Sequence, residues 1–380
     1  MIHRFLNGRV VTPGALLSGA DIRSHGDRIV AIGPVDTATT ADATVDLDGG
    51  WLMPGFIDTQ VNGGGGVLFN DAPTVDGIAA IGAAHAPFGT TGYMTTLISD
   101  DPERIALALD ATDAAIAAGV PGVVGVHIEG PFLNVARKGI HDPAKFRRLD
   151  AETMALLTRP RRGRVMLTLA PELAECDDLR TLTAAGVILS AGHTDASYEE
   201  VVAALDAGLR GFTHLYNAMS PLKHRAPGVV GAALENQTAW CGLIVDGAHL
   251  HPAVIRIALR ARPLDRFMLV TDAMPTVGMV EKSFVLQGKQ IHVENGVCVN
   301  SDGTLAGCDL DMASAVRNLV ASTDTDPAIA AAMASTNPAA FLRLSDERGA
   351  LATGLRADWV WLDAGFAPRG TWIGAARLAS

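Results

Sequence analysis

The chain has 380 residues, 48% of them hydrophobic and 19% charged, with a formal net charge of −11. That supports a large packed core and excludes an intrinsically disordered chain, whose low apolar content cannot offset its conformational entropy. The basic residues are scattered, apart from a short run at 159–164 that reads as a solvated helix–strand connection, so no basic stripe exists for nucleic acid.

The four cysteines, Cys176, Cys241, Cys298 and Cys308, form no CxxC pair and read as core or incidental thiols of a reducing compartment. The N-terminal stretch lacks a signal-peptide core and no apolar run is long enough to span a bilayer, so a cytoplasmic protein is expected.

The first fifty residues read as short strands at 9–12, 20–25, 28–33 and 44–48, with Gly26-Asp27 as a hairpin signal. The texture returns after Leu344, in LRADWVWLDAG and GTWIGAARLAS. Residues 1–50 and 345–380 are therefore expected to build one small β-sandwich domain from both termini; two unrelated β appendages are the alternative. Residues 51–344 are the expected catalytic domain.

Within it, short aliphatic runs at 55–60, 92–97, 122–129, 164–170, 186–191, 211–215, 240–245 and 266–271 alternate with helical segments such as 102–118, 175–185, 197–207 and 252–262. Eight such strands with intervening helices predict an α/β protein with a closed (β/α)₈ TIM-type barrel. An open doubly wound sheet would place a GxGxxG loop after its first strand, and the glycine run 63–66 lacks that spacing and reads as a flexible loop. A hairpin pair is expected over 284–299, then helices over 309–321, 328–334 and 337–344.

In such barrels the chemistry sits at the C-terminal ends of the strands. The first strand ends in Gln60 and Asn62, the third in His127 and Glu129, the fifth in His193 and the sixth in His214 and Asn217. The seventh ends in Asp246 and His249, the eighth in Asp272. His85 and His292 read instead as surface residues. Glu129, His193 and His214 form an N/O set suited to one divalent ion, zinc first, with iron, manganese or cobalt also accommodated. Such an ion lowers the pKa of water to about 7 and polarises a carbonyl. Asp272 then reads as general base and later general acid; a helix N-cap or a further ligand are its other readings. His127 shares the inward face with Glu129, as an alternative ligand or as a partner that orients the site.

At these residues the sequence resembles the amidohydrolase superfamily and, within it, the N-acetylglucosamine-6-phosphate deacetylases. The resemblance is carried by PGFIDTQVNGGGG (54–66), HIEGPFLN (127–134), KGIHDP (138–143), LAPE (169–172), SAGHT (190–194), THLYNAM (213–219), DGAH (246–249), VTDAM (270–274) and DGTLAG (302–307). It implies hydrolysis of N-acetylglucosamine 6-phosphate to glucosamine 6-phosphate and acetate, as in amino-sugar catabolism or cell-wall recycling. It also implies Glu129, His193 and His214 on the metal and Asp272 as acid/base. Further, it implies that Asn217, the backbone of Ala218 and Arg225 hold the phosphate, that His141 lies near the acetamide carbonyl and that His249, in the motif with Asp246, contacts the sugar. Ile140 and the segment Leu305, Ala306 and Gly307 would line the pocket, and a homodimer in which Arg225 reaches a neighbouring site is expected.

Many superfamily relatives carry His-x-His where this chain has Gln60 and Asn62, so these are vestigial second-metal or orienting positions and one metal is expected. The galactosamine epimer, a cyclic amide, or a catalytically silent sugar-phosphate-binding role are the competing readings. Nucleic acid and membrane are not expected partners.

Overall fold

The computed structural model describes residues 1–378; Ala379 and Ser380, the end of the predicted C-terminal strand segment, lie outside the described residues. Two compact units are formed. One comprises Met1–Asp58, His85–Gly92 and the chain from Asp311 onward, the other Thr59–Ala84 and Tyr93–Leu310.

Eight parallel strands run in sequence order through one sheet. They are β1 (Phe56–Val61), β2 (Thr90–Ile98), β3 (Val123–Glu129), β4 (Arg164–Leu169), β5 (Ile188–Ala191), β6 (Gly211–Phe212), β7 (Trp240–Leu243) and β8 (Phe267–Leu269). The two ends meet just beyond β8: Asp272 N donates to Gln60 O at 3.0 Å and Asn62 N to Ala273 O at 2.9 Å, with a parallel bridge between Val61 and Ala273. This is the eight-stranded parallel barrel expected from the alternation, nearly closed.

The connecting helices start where local chemistry dictates. Pro102 and Pro252 open their helices, where a missing N–H costs nothing. The helix Tyr198–Asp206 begins on a reciprocal capping box between Ser197 and Glu200.

Several strands are shorter than predicted, and for a physical reason. At the ends of β6 and β8, His214 and Asp272 adopt left-handed backbones, with φ of 34° and 51°, which interrupts the regular ladder. Single hydrogen bonds continue beyond it, from Leu215 N to Gly242 O at 2.8 Å and from Asp272 N to Gln60 O at 3.0 Å. His193, just past β5, has φ of 49°. The glycine run is not a flexible loop: Gly63–Gly64 pairs antiparallel with Val67–Leu68. The predicted hairpin pair extends to a four-stranded antiparallel sheet, Ser283–Leu286, Lys289–Glu294, Val297–Asn300 and Leu305–Cys308, packed around Leu286, Ile291, Cys298 and Ala306.

Both chain termini enter one eight-stranded sheet, in which Trp51–Pro54 lies between Ile2–Thr12 and Trp359–Leu362. Phe5, Ile22, Leu52, Trp359 and Trp372 form its core. Two expectations of exposure are corrected. His85, at the end of the helix Val75–His85, is buried, with 1% of its surface exposed. In the arginine run, the Arg161 side chain is only 6% exposed and pairs with Asp110 and Asp113. Cys241, Cys298 and Cys308 are buried free thiols. Among the described residues no helix is long and apolar enough to cross a membrane.

Candidate active site and metal centre

Three side chains from three strand ends converge on one point. His214 Nε2 lies 3.0 Å from Glu129 Oε1, His193 Nε2 lies 3.3 Å from the same oxygen, and the two imidazole nitrogens are 3.1 Å apart. Donors held tetrahedrally at about 2.0–2.2 Å from an ion are roughly 3.3–3.6 Å from one another, so the set needs to open by only a few tenths of an ångström. His193 Nδ1 donates to the Arg137 carbonyl at 2.9 Å, which leaves its Nε2 lone pair aimed at the cluster. The donor chemistry therefore fits one divalent ion with an open position. Burial works to raise the Glu129 carboxyl, but the adjoining His193 and His214 imidazoles outweigh it and hold the group well below its usual range.

Asp272 sits beside this cluster. Gln60 Nε2 donates to its Oδ1 at 3.0 Å and Asn62 Nδ2 to the same oxygen at 2.7 Å, while Gln60 also reaches both Glu129 oxygens at 3.3 Å. The Gln60 amide thus bridges two buried carboxylates that would otherwise repel each other, and Asn62 gives Asp272 a second donor. Burial, reinforced by the Glu129 charge, pushes the Asp272 carboxyl above its usual value, toward the range useful for a base that must also return a proton.

His127 lies deeper in the barrel, with Nδ1 3.1 Å from Thr96 Oγ1 and Nε2 2.7 Å from Thr168 Oγ1. Both ring nitrogens are occupied, and burial lowers the imidazole to about 4, so the ring is neutral.

A cavity of about 230 Å³ opens above the cluster. Its lining brings together Glu129, His193, His214, Asp272, Asn62, Ile140, His141, Asn217, Ala218, His249, Leu305, Ala306 and Gly307. Gln60, His127 and Asp246 stand behind this lining, and Arg225 is exposed in the segment 221–226. Sequence reasoning missed Ile98, Gly139, Ile244, Met274 and Thr304, which also line it. The available signal was a strand end for Ile98 and Ile244, and the motifs KGIHDP, VTDAM and DGTLAG for Gly139, Met274 and Thr304. Gly139 is required by shape, since φ is +56° and an added Cβ would lie 3.2 Å from His193 Cε1.

Residues 51–377 match the amidohydrolase family. The chain is 42% identical to an N-acetylgalactosamine-6-phosphate deacetylase of Shewanella sp. (strain ANA-3), over 87% of this chain and 84% of that protein. It is 32% identical to an N-acetylglucosamine-6-phosphate deacetylase of Haemophilus influenzae, over 93% of each. The structure of an N-acetylglucosamine-6-phosphate deacetylase from Pasteurella multocida is similar over 100% of both chains, with a TM-score of 0.95 at 31% identity.

Proposed function

Because the chain belongs to the amidohydrolase family, we propose that it hydrolyses N-acetylglucosamine 6-phosphate to glucosamine 6-phosphate and acetate. The observation that carries this reading is the convergence of Glu129, His193 and His214 beside Asp272 on one cavity wall. Full-length similarity to deacetylases of this substrate supports it.

A divalent ion held by Glu129, His193 and His214, with zinc as the first choice, supplies an acidified water and a polarised carbonyl. Asp272 takes the proton from the attacking water. Its Oδ1 is tied to Gln60 and Asn62, so Oδ2 is the oxygen available. The same carboxyl returns the proton to the amine nitrogen as the C–N bond breaks, releasing acetate. His141 faces the carbonyl and His249 the sugar. Neither lysine nor arginine lines the cavity, so the charge opposing a phosphate has to come from its rim. Arg225, contributed across a homodimer, supplies that charge, while Asn217 and the backbone of Ala218 donate to the phosphate from the lining.

The same reading takes residues 51–344 as the catalytic domain. Residues 1–50 and 345–380 then form a small β-sandwich domain, a reading that the shared core of Phe5, Ile22, Trp359 and Trp372 supports. It also takes the protein as cytoplasmic. The galactosamine epimer is the second reading, favoured by the 42% identity to the Shewanella enzyme. An assay of acetate release by metal-reconstituted protein, on both 6-phosphates and on unphosphorylated N-acetylglucosamine, tests the proposal. A strong preference for a phosphorylated sugar is expected; equal turnover of the free sugar refutes it.

A further inference from the structure

Two histidines reach the cavity wall under opposite constraints. His141 Nδ1 faces the Ser99 backbone N–H at 3.3 Å and the Ser99 hydroxyl at 2.8 Å. A backbone N–H only donates, so His141 Nδ1 is an acceptor and its proton resides on Nε2. His249 is held the other way. Its Nδ1 lies 2.6 Å from Asp246 Oδ2, while Asp246 Oδ1 accepts the backbone N–H groups of Ala248 and His249, each at 2.9 Å. An ionised carboxylate only accepts, so His249 Nδ1 carries a proton, and the tautomer this selects for the neutral ring has its lone pair on Nε2. Burial works to raise the Asp246 carboxyl, but the His249 hydrogen bond and the backbone donors outweigh it and hold the group below its usual value.

We propose that Asp246 is a positioning residue that locks His249 in the Nδ1–H tautomer, making His249 Nε2 an acceptor for a sugar hydroxyl in the same cavity that the His141 Nε2–H donor lines. The hydroxyl rests on the sugar-phosphate reading above; the tautomer does not. One donor and one acceptor in one lining give the cavity a polarity. A substrate must present an acceptor to His141 and a donor to His249, and a hydroxyl displaced by epimerisation loses the second contact.

Asp246, His249 and Cys308 also form a three-donor cluster within 4.8 Å. The 2.6 Å contact between Asp246 and His249 is a hydrogen-bond length, shorter than the spacing of donors around an ion. A second metal is therefore the rival account.

The test uses zinc-loaded full-length protein with ¹⁵N-labelled histidine, His249 being assigned by its loss in His249→Gln. Long-range ¹H–¹⁵N spectra should show a protonated Nδ1 for His249 and a protonated Nε2 for His141. Asp246→Asn can turn its amide N–H toward the ring and should move the His249 proton to Nε2. It should also raise KM, so that kcat/KM falls about tenfold, the scale of one hydrogen bond. Asp246→Glu should restore both readouts. A protonated Nε2 on His249 in the unmodified protein overturns the proposal, as does an unchanged tautomer and KM in Asp246→Asn. A second zinc equivalent lost in that variant also overturns it, in favour of the metal account. The expected tautomers in a protein that hydrolyses neither hexosamine phosphate sustain the lock and overturn the substrate reading alone.

Discussion

Replacing Asp272 by asparagine removes the proton acceptor while leaving its surroundings in place. Gln60 and Asn62 donate only to Oδ1, so an asparagine keeps both hydrogen bonds by presenting its carbonyl to them. Its amide group then faces the cavity and cannot take a proton. Loss of general acid–base catalysis costs about 10²–10⁴-fold in rate, or about 3–5 kcal/mol in the barrier. Folding should change far less. Exchanging a charged acceptor for a neutral one weakens each of the two hydrogen bonds by about 1 kcal/mol, and relief of the repulsion with Glu129 offsets part of that. Acetate release should therefore fall at least a hundredfold in Asp272→Asn, with metal content by mass spectrometry near one per chain and the melting temperature within a few degrees. Acetate release within tenfold of the unmodified enzyme, at equal metal content, would refute Asp272 as the base.

Glu129→Gln puts a poor ligand beside His193 and His214, and metal affinity should drop roughly tenfold or more; full metal retention after dialysis speaks against the Glu129 site. Tyr93→Phe deletes the phenol that donates to the Ile78 carbonyl at 2.8 Å and strands that buried acceptor, so urea denaturation should show a loss of about 1–3 kcal/mol. Arg4 holds the Asp21 carboxyl below its usual range by a paired hydrogen bond. Because the folded pKa is the lowered one, that stabilisation is complete above about pH 4 and is lost as pH falls through the depressed value. The urea midpoint gap between the native chain and Arg4→Met should be constant near neutrality and shrink in acid; a gap that widens in acid contradicts the pairing.

The barrel was legible because strand and helix periods differ and because β-branched runs recur between alanine-rich helices. The predicted helix 102–118 is found as Pro102–Ala117, and 252–262 as Pro252–Ala261. Polar residues at strand ends gave away Glu129, His193, His214 and Asp272, since such groups have no place in a packed interior without partners. Other features left no mark on the local pattern. The two-residue strand Gly211–Phe212 reads longer in sequence, because only the left-handed backbone at His214 reveals where the regular ladder is interrupted. His85 looks like any polar residue at a helix end until the fold buries it. Ile98, Ile244 and Met274 resemble core residues and became cavity wall through tertiary placement. The bridging of Glu129 and Asp272 by Gln60 joins residues 69 and 212 positions apart, a distance no periodicity spans.

The seam of the barrel carries a consequence for how the protein matures. Asp272 owes its place to the joint at which the eighth strand's end meets the first, through Asp272 N on Gln60 O and Asn62 N on Ala273 O. Contacts of such sequence separation form late, after shorter loops have closed. A nascent chain can gather Glu129, His193 and His214 before that joint exists, but Asp272 arrives only with it. With Asp272 as the proposed base, hydrolytic competence becomes a readout of completed closure.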